Sequence, residues 1–90
     1  MRETRRLEIL NAKGLHARAS AKFVETAQRF DARASVAKDG QRVSADSIMG
    51  LLMLAANKGS AIEISAEGPE AEALLDALEK LVAERFGERD

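Results

Sequence analysis

The chain has 90 residues, of which 46% are hydrophobic and 32% are charged, and its formal net charge is −1. This length supports one hydrophobic core, so we expect a single domain over residues 1–90. The chain contains no cysteine and only one histidine. That composition excludes disulfides, thiol catalysis and a multi-histidine zinc site within one chain. We therefore expect neither a metal ion nor another cofactor.

The sequence shows no targeting or membrane-spanning segment. Its N-terminus is basic but is not followed by an apolar signal region, and its longest nearly apolar run, residues 48–56, is too short to cross a bilayer. We therefore expect a soluble, cytoplasmic protein without membrane insertion.

The charge is unevenly distributed along the chain. Residues 1–45 contain ten Lys and Arg and five Asp and Glu, whereas residues 46–90 contain four and ten. The basic half favours phosphate-bearing or acidic partners. Because only three residues are aromatic, we do not expect nucleic acid as a partner.

The first half of the chain predicts three strands and one helix. Residues 4–10 alternate between apolar and polar side chains, which is typical of a half-buried strand. Residues 16–30 place apolar side chains at helical spacing and predict the first helix. Residues 32–38 alternate again, and Asp39-Gly40 is the strongest hairpin signal in the chain. Residues 41–44 then form the short return strand.

The second half predicts two helices and one strand. Residues 48–56 form a short apolar helix that follows N-capping residue types and stops before Lys58-Gly59. Residues 62–66 alternate as a fourth strand, and Pro69 is well placed near the first position of the long helix over residues 71–86. The order β-α-β-β-α-β-α predicts an α+β fold, in which three helices cover one face of a four-stranded antiparallel sheet.

The one histidine, His16, lies between Gly14 and the predicted start of the first helix. Imidazole titrates near neutral pH and can act as a neutral nucleophile or a proton shuttle. The free backbone N–H groups and partial positive charge of a helix start suit a phosphate, and Arg18 can contact the same anion. The combination predicts a histidine that carries a phosphoryl group. On residue type alone, an exposed or purely structural histidine is the alternative.

Two motifs at matching spacing carry a resemblance to a known family. Gly14-Leu15-His16-Ala17-Arg18 and Ser47-Ile48-Met49-Gly50 resemble the motifs of the histidine phosphocarrier protein HPr of the bacterial phosphoenolpyruvate-dependent phosphotransferase system. The similarity extends through Lys58-Gly59 and Ile64-Ser65-Ala66-Glu67-Gly68 and covers nearly the whole chain. It implies an open-faced β-sandwich that acts as a phosphoryl carrier and not as an enzyme.

The resemblance also implies how a phosphoryl group would pass through the protein. His16 would accept it on Nδ1 from phosphorylated enzyme I, which is charged by phosphoenolpyruvate, and pass it to an acceptor of the enzyme IIA type. The backbone N–H groups of Ala17 and Arg18 and the guanidinium of Arg18 would stabilise the phosphate. The same chemistry serves sugar transport and a regulatory, nitrogen-related phosphorelay.

Ser47 matches the family's regulatory serine, which HPr kinase/phosphorylase modifies in many bacteria. A helix N-cap would also explain a serine here, and the two roles are compatible. The alternative function is therefore a regulatory protein-binding module that acts through Ser47 phosphorylation and the apolar second helix. A hydrolase has weaker support, because no carboxylate partner is evident near His16 in the sequence.

The family's partner-docking surface would use the first two helices. The matching positions are Ala21, Glu25, Gln28, Ile48, Met49, Leu52 and Met53. Judged from the sequence, the apolar positions of the second helix are equally consistent with a docking surface and with burial under a loop. We expect a monomer.

Two positions depart from the family pattern. Ala19 stands where the family usually has proline. We expect the absence of proline to loosen the helix start and to slow phosphoryl transfer. Glu25 stands where some relatives have a basic residue, so the sequence leaves the partner preference open.

Overall fold

The structure is a computed structural model that describes residues 2–89. Its elements, in chain order, are β1 (Arg2–Glu8), α1 (Ala17–Ala27), β2 (Arg33–Lys38), β3 (Gln41–Ser44), α2 (Ile48–Met53), β4 (Ala61–Glu67) and α3 (Ala71–Ala83). A 3-10 turn over Arg85–Gly87 follows α3. The predicted order β-α-β-β-α-β-α is confirmed.

The four strands form one antiparallel sheet in the order β1-β4-β2-β3. Central β4 pairs with β1 on one side and with β2 on the other, and the Asp39-Gly40 turn joins β2 to β3. The three helices lie on one face, and the other face is open. The predicted open-faced β-sandwich is confirmed.

The hydrophobic core lies between the sheet and the helices. The apolar residues Ile62, Ile64 and Ala66 alternate along β4 and are buried, as are the residues of α3 at helical spacing, so the two elements face each other across the core. The largest fully buried apolar side chains are Phe23, Phe86, Ile9, Leu51, Ile62, Ile64, Leu74, Leu75, Leu78 and Val36.

Several element ends differ from the predicted ones because hydrogen bonding, and not hydrophobic spacing, sets them. β1 spans Arg2–Glu8 instead of residues 4–10, since β4 extends to Glu67 and pairs with the start of β1. α1 ends at Ala27, although apolar spacing continues to residue 30. The N–H of Phe30 donates to the carbonyl of Ala27 at 3.4 Å, and Phe30 packs against the core from this turn.

α2 ends at Met53, three residues before the predicted end. Ala55 has a positive φ of 51°, which turns the chain out of the helix. The carbonyl of Ala56 is then free to accept the backbone N–H of Leu15 at 2.9 Å. The early end of α2 therefore supports the loop that carries His16.

α3 ends at Ala83 instead of at residue 86. Arg85 and Phe86 have positive φ values of 56° and 55°, which break the helix and return the Phe86 ring to the core. The carbonyl of Phe86 accepts a hydrogen bond from Lys22 Nζ at 2.6 Å. At the other end, Pro69 lies two residues before Ala71, near the start of α3 as predicted.

The left-handed glycine before Leu15 provides a test of this arrangement. Gly14 has φ +68°, and a Cβ there would lie 2.6 Å from the Ala56 carbonyl oxygen, whereas Gly40 has φ +84° and open space around it. Gly40→Ala should lower the free energy of unfolding by about 1 kcal/mol through backbone strain alone. Gly14→Ala adds a steric conflict and should lower it by about 3 kcal/mol. Urea denaturation measures both free energies of unfolding. Equal losses in the two variants would contradict the steric role assigned to Gly14.

Candidate functional site

His16 is the N-cap of α1. Its backbone is extended, with φ −79° and ψ −177°, and its Nδ1 accepts the backbone N–H of Arg18 at 3.3 Å. A histidine thus fills the position where Ser, Thr, Asp or Asn usually caps a helix. The ring is 27% exposed, while Leu15 before it is buried and anchors the loop. The imidazole is therefore accessible but oriented.

A carboxylate lies at the other ring nitrogen. His16 Nε2 is hydrogen-bonded to Oε2 of Glu88, in the segment that follows the 3-10 turn. The side-chain amide of Asn11, which is fully buried, donates to Glu88 Oε1 at 2.9 Å and to the carbonyl of Gly14 at 2.8 Å. Asn11 thus fixes the Glu88 carboxylate to the same loop that carries His16.

These contacts favour one tautomer of the neutral imidazole. A carboxylate can only accept a hydrogen bond, so the ring proton belongs on Nε2, next to Glu88. The lone pair then belongs to Nδ1, in agreement with its acceptance of the Arg18 N–H. Nδ1 is therefore the ring nitrogen that can act as a nucleophile.

The surroundings of Glu88 keep it ionised at neutral pH. Burial raises the pKa of Glu88, but hydrogen bonds from His16 and Asn11 lower it, as do the charge of His16 when its ring is protonated and the positive charge of Lys13. The net direction is downward from the ordinary pKa. A negative charge is therefore present beside the imidazole at physiological pH.

The first turn of α1 lies on the Nδ1 side of the ring. Ala17 and Arg18 are exposed, whereas Ala19, at the third helical position, is fully buried. N–H groups in the first turn have no acceptor within the helix, and the helix dipole adds partial positive charge there. A phosphoryl group on Nδ1 would lie next to these donors.

Ser47 is the N-cap of α2, and its Oγ accepts the backbone N–H of Gly50 at 2.9 Å. The predicted capping role is therefore confirmed. The side chain is partly exposed and lies outside the hydrogen-bonded group formed by His16, Glu88 and Asn11.

The proposed docking positions of the two helices are mostly at the surface. Ala21, Glu25 and Gln28 are exposed on α1, and α1 packs against α2. On α2, Ile48 is 40% exposed, Met49 68% and Met53 69%, and Leu52 is half-buried. Burial under a loop is therefore wrong for these three exposed apolar residues.

The sequence did not predict a role for Glu88 or Asn11 at this site. The expectation that His16 has no carboxylate partner holds along the sequence but not in space, because Glu88 is 72 positions away. Nothing in the charged C-terminal segment distinguishes Glu88 from the other glutamates. Asn11 was assigned to a polar loop, where asparagine is common. Its complete burial has no signal in the sequence.

Comparison with known proteins identifies the family. A family model described as "PTS HPr component phosphorylation site" matches residues 3–84. The chain belongs to the HPr family. Members are phosphocarrier proteins of the phosphotransferase system, so the resemblance read from the motifs is confirmed, and the family supports a phosphocarrier role for this chain.

Individual relatives match over nearly their full length. The phosphocarrier protein HPr of Cupriavidus necator is 46% identical over 80 residues, which cover 89% of this chain and 90% of that protein. The phosphocarrier protein NPr of Shewanella violacea is 40% identical over 84 residues, with coverage of 93% and 92%. A crystal structure of HPr from Thermoanaerobacter tengcongensis has a TM-score of 0.93 at 41% identity and covers 98% of this chain and 99% of that one.

Across residues 2–89, every helix falls short of the length and apolar character needed to cross a bilayer.

The contact between Glu88 and His16 predicts a pH-dependent contribution to stability. Because folding lowers the pKa of Glu88, its stabilising effect is complete above the ordinary value of 4.5 and is lost as the pH falls through the folded value. Glu88→Gln should therefore lower the free energy of unfolding by about 1 kcal/mol near neutral pH. This difference from the wild type should shrink below the ordinary pKa of the carboxyl group.

Urea denaturation across the acidic range measures this difference. Glu84→Gln is the matched control, because Glu84 is exposed and outside the site, and its effect should stay small at every pH. The stabilising role of the Glu88 charge would be contradicted if the difference in free energy of unfolding between Glu88→Gln and the wild type stayed constant as Glu88 became protonated.

Proposed function

We propose that His16 is the residue at which this HPr-family protein accepts a phosphoryl group from phosphorylated enzyme I, and from which an IIA-type acceptor removes it. The observation that supports this proposal is the orientation of the imidazole. Nε2 is held by the Glu88 carboxylate, so the Nδ1 lone pair faces the N-terminal turn of α1. The protein acts as a carrier, because uptake of the phosphoryl group leaves it phosphorylated until transfer to the acceptor restores the free histidine.

The transfer step requires no proton to move. The Nδ1 lone pair attacks phosphorus, and the bond between phosphorus and the donor atom of enzyme I breaks, with its electron pair remaining on the donor. The imidazole keeps its proton on Nε2 and gains positive charge as the new N–P bond forms. The Glu88 carboxylate stabilises that charge, and donation to the acceptor follows the same path in reverse.

The phosphoryl oxygens gain their own donors as the bond forms. Once Nδ1 carries phosphorus, it can no longer accept the Arg18 N–H, which becomes available to a phosphoryl oxygen. The N–H of Ala17 and the exposed guanidinium of Arg18 add further donors. Ion pairs at exposed positions are weak, which suits a carrier that has to release its phosphate.

The exposed side chains of α1 and α2 favour docking of protein partners next to this site. Large apolar side chains that are exposed together mark interaction surfaces, and Ile48, Met49 and Met53 meet this description on α2. Ala21, Glu25 and Gln28 extend the surface onto α1. The transfer chemistry at His16 is the same in sugar transport and in a regulatory branch, so the partner proteins determine the pathway.

Ser47 carries a second, regulatory proposal. Its Oγ accepts the Gly50 N–H and so leaves its own proton free, and the residue directly precedes the exposed Ile48 and Met49. Phosphorylation by an HPr kinase would add almost two negative charges at the edge of the docking surface. Those charges would repel an acidic partner and so reduce phosphoryl transfer at His16.

Phosphorylation by enzyme I tests the carrier proposal. With phosphoenolpyruvate and a catalytic amount of enzyme I, the protein should gain one acid-labile, base-stable phosphate, seen by intact mass and by ³¹P NMR. His16→Ala should gain none, because it lacks the nucleophile. No uptake by the wild type with the host's own enzyme I, or equal uptake by His16→Ala, would contradict the proposal.

The same assay tests the role assigned to Glu88. Glu88→Gln keeps a hydrogen-bond acceptor but loses the charge, so it should still be phosphorylated at a rate about tenfold lower. Glu84→Gln should react at the wild-type rate. If Glu88→Gln also reacts at the wild-type rate, the carboxylate does not stabilise the transfer step.

Incubation with an HPr kinase and ATP tests the regulatory proposal. One acid-stable phosphate should appear on the wild type and on Ser44→Ala, a control at a nearby exposed serine, but not on Ser47→Ala. Ser47→Asp should slow phosphoryl uptake from enzyme I, because it imitates part of the added charge. An unmodified Ser47 would contradict the proposal.

A further inference from the structure

The open face of the sheet carries a row of hydroxyl groups that crosses all four strands. Ser65 of β4 pairs with Thr4 of β1 and with Ser35 of β2, and Ser35 in turn pairs with Ser44 of β3. Because strand side chains alternate between faces, all four point away from the helices. Ser65 is only 5% exposed despite lying on this uncovered face. Larger side chains from neighbouring rows therefore shelter it.

Arginines are among those larger side chains. Arg2, Arg33 and Arg42 line a depression of about 210 Å³ with Ser35 and Ser65. Nη1 of Arg42 donates to Ser35 Oγ at 2.7 Å and lies 3.5 Å from Ser65 Oγ. Ser35 Oγ accepts this bond and so keeps its own proton for another acceptor. The depression is rich in hydrogen-bond donors.

The negative charge at the depression is smaller than the positive charge. Glu67 is the one carboxylate among the described residues that line it, and the sheet register places Glu67 between Arg2 and Arg33. Glu63 approaches Arg42 from outside, with Oε1 3.9 Å from Nη2. The three guanidinium groups and one carboxylate of the lining leave a formal charge of +2 around a floor of hydroxyls, and this charge is +1 when Glu63 is counted with them.

We propose that this depression binds a small oxyanion with two negative charges, of the class of phosphate and phosphate monoesters. Such a ligand offers only acceptors, which matches the donors of Arg33, Arg42 and Ser35. Planar guanidinium groups bind phosphate oxygens in pairs, and the small side chains of the floor leave room for the anion between them.

This oxyanion site is distinct from the phosphoryl site at His16. The His16 loop bonds to Ala56, before β4 begins, whereas Ser65 and Glu67 lie at the other end of that strand. Seven strand residues span roughly 20 Å, and α1 covers the opposite face of the sheet. The inference therefore stands whether or not His16 carries a phosphoryl group.

The test is a titration of the ¹⁵N-labelled protein with inorganic phosphate near pH 8, followed by backbone amide shifts. The amides of Ser35 and Ser65 should shift saturably, and phenyl phosphate, a model monoester, should produce the same response. Sodium chloride at matched ionic strength should not. The amides of Ala17 and Arg18 report separately on any anion at the helix start.

Three variants separate a specific site from general charge. Arg33→Gln and Arg42→Gln should each weaken phosphate binding about tenfold, the effect of losing one charge-assisted contact. Arg6→Gln makes the same charge change on the same face but outside the depression, and its affinity should stay near that of the wild type. Circular dichroism checks that each variant is folded.

Two results would overturn the proposal. One is the absence of a saturable shift at Ser35 and Ser65. The other is an equal loss of affinity in Arg6→Gln and Arg33→Gln, which would indicate an adventitious ion attracted by net charge only. If phosphate affects only Ala17 and Arg18, the His16 site binds the anion and the sheet face does not.

Discussion

The close approach of two loops at Gly14 is the constraint on which the site depends. No side chain fits between Gly14 and the Ala56 carbonyl, and this contact allows the Leu15 N–H to bond to that same carbonyl. Leu15 is then buried, and His16 is delivered in the extended conformation of an N-cap. The early end of α2, the turn at Ala55 and the start of α1 are parts of one arrangement, and a phosphocarrier needs it because its nucleophile has to be accessible and oriented.

The two halves of the chain meet at the imidazole. The N-terminal half supplies His16, Asn11 and the first turn of α1, and the C-terminal segment supplies Glu88. That segment reaches the site because left-handed backbone at Arg85 and Phe86 turns it back from α3. The buried Phe86 ring and the bond from Lys22 to the Phe86 carbonyl then hold it in place. Core packing at the end of α3 thus positions a charge at the functional site.

The sequence was sufficient for the order of elements, the hairpin, the covered face and the position of His16 at the start of the first helix, because each has a local signature. Alternation, helical spacing and Asp39-Gly40 depend on neighbours in the chain. The ends of α1, α2 and α3 were placed too late, because apolar spacing reports burial, and a turn can also bring an apolar side chain to the core. Phe86 is buried in this way, and Phe30 is partly buried. Glu88 could not be predicted, since its role arises from a fold that joins positions 72 residues apart.

The arrangement at His16 separates two tasks that a phosphoryl carrier has to combine. In the proposed transfer, Glu88 stabilises the positive charge of the ring, while the N–H groups of α1 stabilise the negative charge of the phosphoryl group. Because the two charges are stabilised from opposite sides of the imidazole, the ring can be oriented strongly by Glu88 and Asn11 without a tight grip on the phosphate. The buried amide supplies rigidity on the Nε2 side, and the exposed Arg18 leaves the Nδ1 side open to partners. Buried contacts therefore orient the imidazole ring, whereas the phosphoryl group would be held only by exposed groups from which a partner can remove it.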